Sequence, residues 1–233
     1  MDFSQIIELD RQLLLALNGS DSLFLDGLVK TLTTAATWIP LYLSLLYLVI
    51  KNNGTALKVL LIVACALLCV FIAGSLNDMI VKPIVARWRP THDEEIGILV
   101  DVVNGYRGGK YGFFSSHASN TFSLAIFFSL LVRSRVLSVT LILWSLVNCW
   151  TRMYLGVHFP GDILIGLLWG AAVGTGVWFL YRKLSLRLNG EDSFISSQYT
   201  SAGYQHIDVD VVVSVLAMTF IYAIISACFY LYV

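Results

Sequence analysis

The sequence predicts an all-α protein: a polytopic membrane helical bundle of about six transmembrane helices, with an N-terminal amphipathic interfacial helix. Of its 233 residues, 58% are hydrophobic and only 13% are charged, about half the charged fraction of an ordinary soluble domain. The mean hydropathy is +0.78. Six stretches without Asp, Glu, Lys or Arg are long enough, or nearly long enough, to cross a bilayer. Because lipid offers no partner to open backbone groups, these stretches are predicted to be helices.

The first element is predicted to lie along the membrane surface and not to cross it. Residues 3–17 carry apolar side chains at a helical period, with Glu8, Asp10 and Arg11 between them. This pattern is typical of an interfacial helix. Asp2 and the lack of a basic leader argue against a signal peptide. A turn at 18–21 follows, so residues 1–22 are predicted to form a separate segment.

The apolar stretches then follow in order, separated by polar links. They are residues 31–50, 59–77, 111–132, 136–151, 163–181 and 211–233. The fourth is slightly short, and the long side chain of Arg152 can extend it to the interface. We therefore predict a core over residues 23–188, a mobile polar linker over 189–210 with no packed core of its own, and an additional C-terminal transmembrane helix over 211–233.

Composition also limits the possible ligands. The formal net charge is zero, which argues against nucleic acid as a partner. All cysteines lie in predicted spans, where we expect small apolar packing residues and not disulfides or metal ligands; they are Cys65, Cys69, Cys149 and Cys228. The acidic run at 92–95 is predicted to be a solvated patch and not a Mg²⁺ site. We expect no metal and no cofactor.

Counting membrane crossings brings the polar residues to one face. The second predicted span ends and the third begins on the same face, and two further crossings return the chain there. Short basic loops favour the cytoplasm, which would place this face outside. Lys and Arg are divided almost evenly between the faces, but anion binding accounts for three of those on the polar face. The residues predicted to emerge there are Lys82, Arg89, Ser115, Ser116, His117, Arg152, His158 and Asp162.

The segment from Arg152 to Asp162 combines a cation, an imidazole and a carboxylate between two predicted spans. Asp162 lies four residues after His158, so its carboxylate can accept the Nδ1–H of the ring and leave Nε2 free to attack phosphorus. His117 is then the candidate acid for the leaving oxygen. The structural alternative is a helix-ending Arg, a turn, and an Asp in the first turn of the next helix.

Three cations are candidates to bind an oxyanion that carries about two charges. Lys82 and Arg89 are seven residues apart and would share a face of one helix. Pro83 could start such a helix and Pro90 could end it. Arg152 would add its planar fork of donors. Alternatively, Lys82 and Arg89 are interfacial anchors.

The start of the third span would complete the anion site. Its first backbone amides and the hydroxyl of Ser115 are potential donors to phosphate. Ser115 and Ser116 could instead form a plain helix cap. His117, taken alone, fits an ordinary helix histidine as well as a functional group.

Three groups of residues stand out by their spacing: Lys82 with Arg89-Pro90, Phe114-Ser115-Ser116-His117, and Arg152 with His158 and Asp162. Together they resemble the signature motifs of the type 2 phosphatidic acid phosphatase family, whose soluble relatives include vanadium haloperoxidases. The resemblance implies a metal-independent lipid phosphatase that works through a phosphohistidine. It implies that His158 is the nucleophile, Asp162 its partner and His117 the acid. The implied phosphate-binding residues are Lys82, Arg89, Ser115, Ser116 and Arg152.

Two of these motifs depart from the family pattern. The second usually reads Pro-Ser-Gly-His, and Phe114 and Ser116 replace the Pro and the Gly. The third usually opens Ser-Arg, and Thr151 stands in place of the Ser. Since Ser116 can still offer its backbone N–H to phosphate, we expect activity to survive.

The leading hypothesis is hydrolysis of a lipid phosphate or diphosphate at the outer, periplasmic face of a bacterial inner membrane. Lipid-to-lipid phosphotransfer and a catalytically silent polytopic membrane protein are the alternatives, and six apolar spans disfavour a haloperoxidase. By resemblance, the substrate could be undecaprenyl diphosphate, a lipid A phosphate, phosphatidylglycerol phosphate or phosphatidate. The sequence does not choose among them or give the oligomeric state. We expect headgroup selection in loop residues 91–113 and in the N-terminal helix.

Overall fold

A computed structural model describes residues 2–189 and 197–230, which form a bundle of helices. Within these ranges five helices are long and apolar enough to cross a membrane, and a shorter apolar helix, Ser116–Val132, packs among them. The five are Ala35–Asn52, Ala56–Val85, Arg135–Tyr154, Pro160–Arg187 and His206–Tyr230. The prediction of an all-α membrane bundle with about six spans is confirmed.

The chain begins with two helices that precede the first span. Helix α1 (Phe3–Leu17) buries Leu14 completely, while Leu13 and Leu17, on an adjoining face, are exposed. This amphipathic pattern agrees with the predicted helix, and its location in the membrane interface stays a prediction. Helix α2 (Leu23–Thr33) starts at Ser22, whose side chain accepts a hydrogen bond from the backbone N–H of Leu25.

The first span starts later than the sequence predicted. The predicted stretch 31–50 is interrupted at Thr34, whose backbone is extended, and a 3₁₀ turn at Ala35–Trp38 leads into α3 (Ile39–Asn52). The sequence did not reveal this break because the stretch contains no charged residue on either side of it. The break separates α2 from the membrane-crossing α3.

The second span is longer than predicted and contains two distortions. Helix α4 (Ala56–Val70) continues through π-helical turns at Phe71–Ser75 and Asn77–Val81 into α5 (Lys82–Val85). It ends at Ala86, which has a left-handed backbone with φ of 50°.

Two predictions about the end of this span are wrong. Pro83 does not start a separate helix, because it follows Lys82 within a continuing one. Lys82 and Arg89 do not share a helix face, because the chain leaves the helix at Ala86 and Arg89 is extended. The backbone N–H of Arg89 instead donates to the carbonyl of Lys110.

Three helices build the centre of the bundle: α6 (Ser116–Val132), α7 (Arg135–Tyr154) and α8 (Pro160–Asn189). Helices α6 and α8 approach very closely, because glycines of α8 face the backbone of α6. A Cβ atom at Gly166, Gly170 or Gly174 would lie 2.8, 2.7 or 2.5 Å from a carbonyl oxygen of α6. This contact aligns the starts of α6 and α8 at one end of the bundle.

The last helix, α9 (His206–Tyr230), packs against α2 and α3. Its buried Asp208 accepts hydrogen bonds of 2.9 Å from Tyr47 and from Asn52. The preceding turn also packs on the bundle: Tyr204 is buried, and the N–H of Gln205 donates to Asn52 over 2.8 Å. Residues 197–205 therefore differ from the predicted mobile linker, because buried side chains and hydrogen bonds fix them to the bundle. Positions 190–196 and 231–233, parts of the predicted linker and last span, lie outside the described residues.

Candidate active site

Polar side chains meet at one end of the bundle, where α6 and α8 begin and α5 and α7 end. Arg89 lies in the loop after α5 and His158 in the short link between α7 and α8, and both are almost fully buried. One terminal nitrogen of Arg89 is 3.5 Å from Nε2 of His158 and donates to the carbonyl of Val157 over 3.3 Å. The Nε of Arg89 donates to the carbonyl of Tyr111. The predicted convergence on one face is therefore present.

Burial and cations keep the ring of His158 neutral. Burial is the larger effect, and the charges of Arg89, Arg152 and Lys82 add to it, so that the pKa of His158 is held well below its usual value of 6.5. A neutral imidazole has a lone pair available for attack, whereas an imidazolium has none. The environment therefore favours the form of His158 that can act as a nucleophile.

The carboxylate of Asp162 lies beside this ring, in the first turn of α8. Its Oδ2 is 3.6 Å from Nδ1 of His158, which is an ion-pair distance but longer than a hydrogen bond. The predicted Nδ1–H hydrogen bond is thus not formed, because Asp162 is engaged elsewhere. Its Oδ2 accepts from the backbone N–H of Phe159 over 3.2 Å, and its Oδ1 accepts from Arg87 over 2.7 Å.

Ser115 joins the starts of the two central helices. Its hydroxyl accepts a hydrogen bond from the N–H of Ala118, so Ser115 caps the N-terminus of α6, as one of the two interpretations of the sequence proposed. Its own backbone N–H donates to the carbonyl of Asp162 over 3.1 Å. The first turn of α6 and the first turn of α8 are therefore fixed to each other.

Lys82 and Ser116 meet at one carboxylate. The ammonium of Lys82 is 2.6 Å from Oδ1 of Asp78, and the hydroxyl of Ser116 donates to the same oxygen over 2.7 Å. Asn77 donates to the Ser116 hydroxyl and to the carbonyl of Phe114. The π-helical turn that carries Asn77 and Asp78 thus brings Lys82 to the start of α6, as the crossing argument predicted.

His117 belongs to the same cluster. It lies in the first turn of α6 with an exposed side chain. The charges of Arg152, Lys82 and Arg89 act on it, and the ring of His158 lies close enough to influence it. Its ring is therefore on the same side of the bundle as His158.

Arg152 is buried at the end of α7 and is held by two residues that the sequence did not indicate. One terminal nitrogen donates to the hydroxyl of Thr33, and the other donates to the hydroxyl of Tyr106 over 3.2 Å. The guanidinium also lies over the ring of Tyr106. Thr33 and Tyr106 are far from Arg152 in the sequence and carry no motif, so no local signal could have found them.

A second pair of residues was also missed. Arg87 donates to Asp162 and, through its other terminal nitrogen, to Oδ2 of Asp10 in α1 over 2.7 Å. The backbone N–H of Gly161 donates to the other oxygen of Asp10 over 2.7 Å. Arg87 lies between the two cations of the first motif, which is the signal that could have identified it.

The acidic run of the loop is partly engaged by the N-terminal helix. Arg11 of α1 forms ion pairs with Asp93 and Glu95. The predicted solvated patch is therefore a docking point for α1. Among the residues that the structure describes, no three His, Cys, Asp or Glu side chains are grouped to hold a metal ion.

A buried imidazole close to several cations, at the end of an apolar helical bundle, fits the class of integral-membrane enzymes that handle phosphate groups. The model of the PAP2 superfamily matches residues 55–185. A lipid A 4'-phosphatase of Bacteroides thetaiotaomicron is 41% identical over 185 residues, which cover 79% of this chain and 82% of that protein. A lipid A 4'-phosphatase of Porphyromonas gingivalis is 38% identical over 178 residues, covering 76% and 74%. No solved structure matches the chain.

The chain therefore belongs to the PAP2 superfamily. It is an integral bacterial membrane protein and a lipid phosphatase. The predicted enzyme class and the family resemblance are confirmed.

Proposed function

We propose that this protein removes the 4'-phosphate of lipid A and that His158 carries the phosphoryl group between the lipid and water. The assignment of the site rests on His158. Its Nε2 lies 3.5 Å from a terminal nitrogen of Arg89, and its ring is buried and neutral. The choice of lipid rests on the two lipid A 4'-phosphatases, each of which this chain matches over about three quarters of its length.

The reaction has two steps. Nε2 of His158 attacks phosphorus, a P–N bond forms, and the P–O bond to the sugar breaks while His117 gives its proton to the departing oxygen. Water then attacks phosphorus and gives a proton to His117, the P–N bond breaks with its electron pair returning to Nε2 of His158, and inorganic phosphate leaves. Asp162 starts 3.6 Å from Nδ1 and closes on it as the ring becomes positively charged.

Cations around His158 balance the charge of the phosphoryl group in transit. Arg89 and Arg152 offer planar donor forks, and Lys82, held by Asp78, offers an ammonium. The free backbone amides at the start of α6, next to Ser115 and Ser116, donate hydrogen bonds to the phosphoryl group beside His158. These groups are fixed before the substrate arrives, which is the arrangement that stabilises a transition state most effectively.

The bilayer side of the site has room for a hydrocarbon chain. A cavity of about 470 Å³ lies between α3, α4 and α6, and apolar side chains such as Leu45, Ile62 and Phe128 line it. Asn120, one helical turn after His117, is at the polar end. One acyl chain of the lipid is proposed to lie there while the phosphate reaches His158.

The site is proposed to face the periplasm. The turn between α6 and α7, which carries Arg133 and Arg135, is at the opposite end of the bundle. Short basic loops are retained in the cytoplasm. The phosphate of an outer-leaflet lipid would then meet the cluster directly.

The test is a comparison of substrates with the purified protein in the presence of a chelator. Lipid A bearing both phosphates, undecaprenyl diphosphate, phosphatidylglycerol phosphate and phosphatidate are supplied in turn. Mass analysis of the products should show loss of the 4'-phosphate of lipid A, with free phosphate released. Transfer of that phosphate to a second lipid would identify a phosphotransferase instead.

Two variants complete the experiment. His158→Ala should abolish release, while His206→Ala, a histidine at the opposite end of the bundle, should leave it unchanged. Release that needs added Mg²⁺, that persists in His158→Ala, or that is faster with another lipid contradicts the proposal.

A further inference from the structure

We propose that Asp10 and Arg87 are positioning residues for catalysis: they hold Asp162 against His158 and make the N-terminal helix a part of the active site. The inference rests on the proposed role of His158. It concerns two residues to which the motifs give no role: Arg87, between the two cations of the first motif, and Asp10, on a helix that precedes the first membrane span.

The contacts form a continuous chain from α1 to the nucleophile. Asp10 Oδ2 accepts from Arg87 over 2.7 Å, and Arg87 donates to Asp162 Oδ1 over 2.7 Å. The other oxygen of Asp162 faces Nδ1 of His158 at 3.6 Å. Arg87 thus determines which oxygen of Asp162 is turned towards the ring.

A carboxylate as deeply buried as Asp162 needs a compensating charge. Its side chain has no exposed surface, and Arg87 is the cation in direct contact with it among the described residues. An isolated buried carboxylate is costly and tends to take up a proton, after which it stabilises a cationic ring less well. Arg87 therefore favours the ionised form of Asp162 and also orients it.

Asp10 fixes Arg87 and the start of α8 together. Its Oδ1 accepts from the N–H of Gly161, the residue before Asp162, over 2.7 Å. Gly161 permits this approach, because a Cβ atom there would lie 3.0 Å from Asp10 Oδ2. The Arg87 guanidinium also stacks on the ring of Phe159, 4.3 Å from its centroid. A movement of α1 would therefore displace the segment that carries both His158 and Asp162.

The experiment measures steady-state kinetics of four variants of the full-length protein: Asp10→Asn, Arg87→Gln, their double mutant, and Arg87→Lys. We expect kcat to fall about 10-fold in Asp10→Asn and about 100-fold in Arg87→Gln, with KM nearly unchanged, because neither residue is assigned to bind the substrate. Arg87→Lys should recover part of the loss. Millimolar guanidinium, but not sodium, should partly restore Arg87→Gln.

The double mutant separates a relay from two independent contributions. If Asp10 acts through Arg87, adding Asp10→Asn to Arg87→Gln should cause little further loss. Glu8→Gln removes a carboxylate from the exposed side of the same helix and should keep wild-type kinetics. Rates are expressed per folded molecule, so that a variant that only folds poorly shows a normal kcat.

Normal kcat in Asp10→Asn, a loss confined to KM, a loss confined to the folded fraction, or full additivity in the double mutant would each overturn the proposal. Wild type and His158→Ala are measured in the same assay. If the wild type releases no phosphate, or His158→Ala still does, the proposed function has failed. If these two behave as expected and Asp10→Asn is normal, only the positioning role has failed.

Discussion

At the scale of residues, the site consists of buried polar and charged side chains whose positions and protonation states are set by their neighbours. His158 is kept neutral by burial and by nearby cations, and Arg152 is held by hydroxyls from two distant segments. Each cation has at least one fixed polar partner, which limits its movement before a substrate binds. Such preorganisation has consequences that can be measured on single residues.

The first prediction concerns the protonation of His158 in the free enzyme. Because its pKa is lowered from 6.5, His158 binds fewer protons than an ordinary histidine as the pH falls below 6.5, and it stays neutral where a free histidine is half charged. NMR of protein labelled at its four histidines should show this. Signals are assigned with His158→Asn, and free N-acetylhistidine in the same buffer serves as the reference. A titration midpoint for His158 at or above pH 6.5 would contradict this prediction.

The second prediction concerns the fork of Arg152. Arg152→Lys keeps the charge but cannot donate to Thr33 and Tyr106 while also meeting phosphate, so kcat/KM should fall about 10- to 100-fold. Arg135→Lys, at the opposite end of the bundle, should have wild-type kinetics. Equal kinetics for the two variants would show that only the charge of Arg152 matters.

At the scale of elements, the contact between α6 and α8 aligns the catalytic groups. Gly166, Gly170 and Gly174 let the two backbones approach, as small residues do in membrane helix pairs. Ser115 and Asp162 then join the two helix starts. A change in this spacing would separate the start of α6, with its proposed phosphate donors, from His158.

The third prediction tests this contact with two alanine substitutions in α8. Gly170→Ala places a Cβ atom 2.7 Å from the carbonyl of Ser119, and it should destabilise the protein by about 1–3 kcal/mol. Gly176→Ala meets nothing within 4 Å and should be neutral or slightly stabilising. Thermal unfolding in detergent measures both. A normal midpoint for Gly170→Ala would mean that the helices can separate at little cost.

At the scale of the whole molecule, six apolar helices hold a polar site at one end of the bundle. The same arrangement places the acidic loop and α1 over the site, joined by Arg11 to Asp93 and Glu95. The opposite end contains the short turns and the buried Asp208 network. The two ends should therefore lie on different sides of a membrane.

The fourth prediction tests the orientation of these ends. Ile98→Cys introduces a thiol into the site-side loop, where the native side chain is almost fully exposed, and Gly54→Cys introduces one at the opposite end. Both are made with Cys228→Ser to remove the exposed native thiol. In cells with a permeabilised outer membrane, an impermeant maleimide should label position 98 but not position 54. The reverse pattern would place the site in the cytoplasm.

The sequence by itself determined the class of fold and brought the motif residues of the cluster to one face. Hydropathy is a property of each residue that accumulates along the chain, so runs of apolar residues were enough to find the spans. Counting those spans then placed His117, Arg152 and His158 on one face. The close spacing of His158 and Asp162 made them neighbours whatever the rest of the fold did.

Only the tertiary structure decided how these residues are held. The helix ends at Thr34 and Ala86 depend on backbone geometry that hydropathy does not record, so the first span was misplaced and Lys82 was wrongly put on one helix with Arg89. The contacts of Asp10 with Arg87 and of Thr33 with Arg152 join positions 77 and 119 residues apart. A hydrogen bond forms only between groups that the fold brings close together. The distance between two such groups in space cannot be predicted from their separation along the chain.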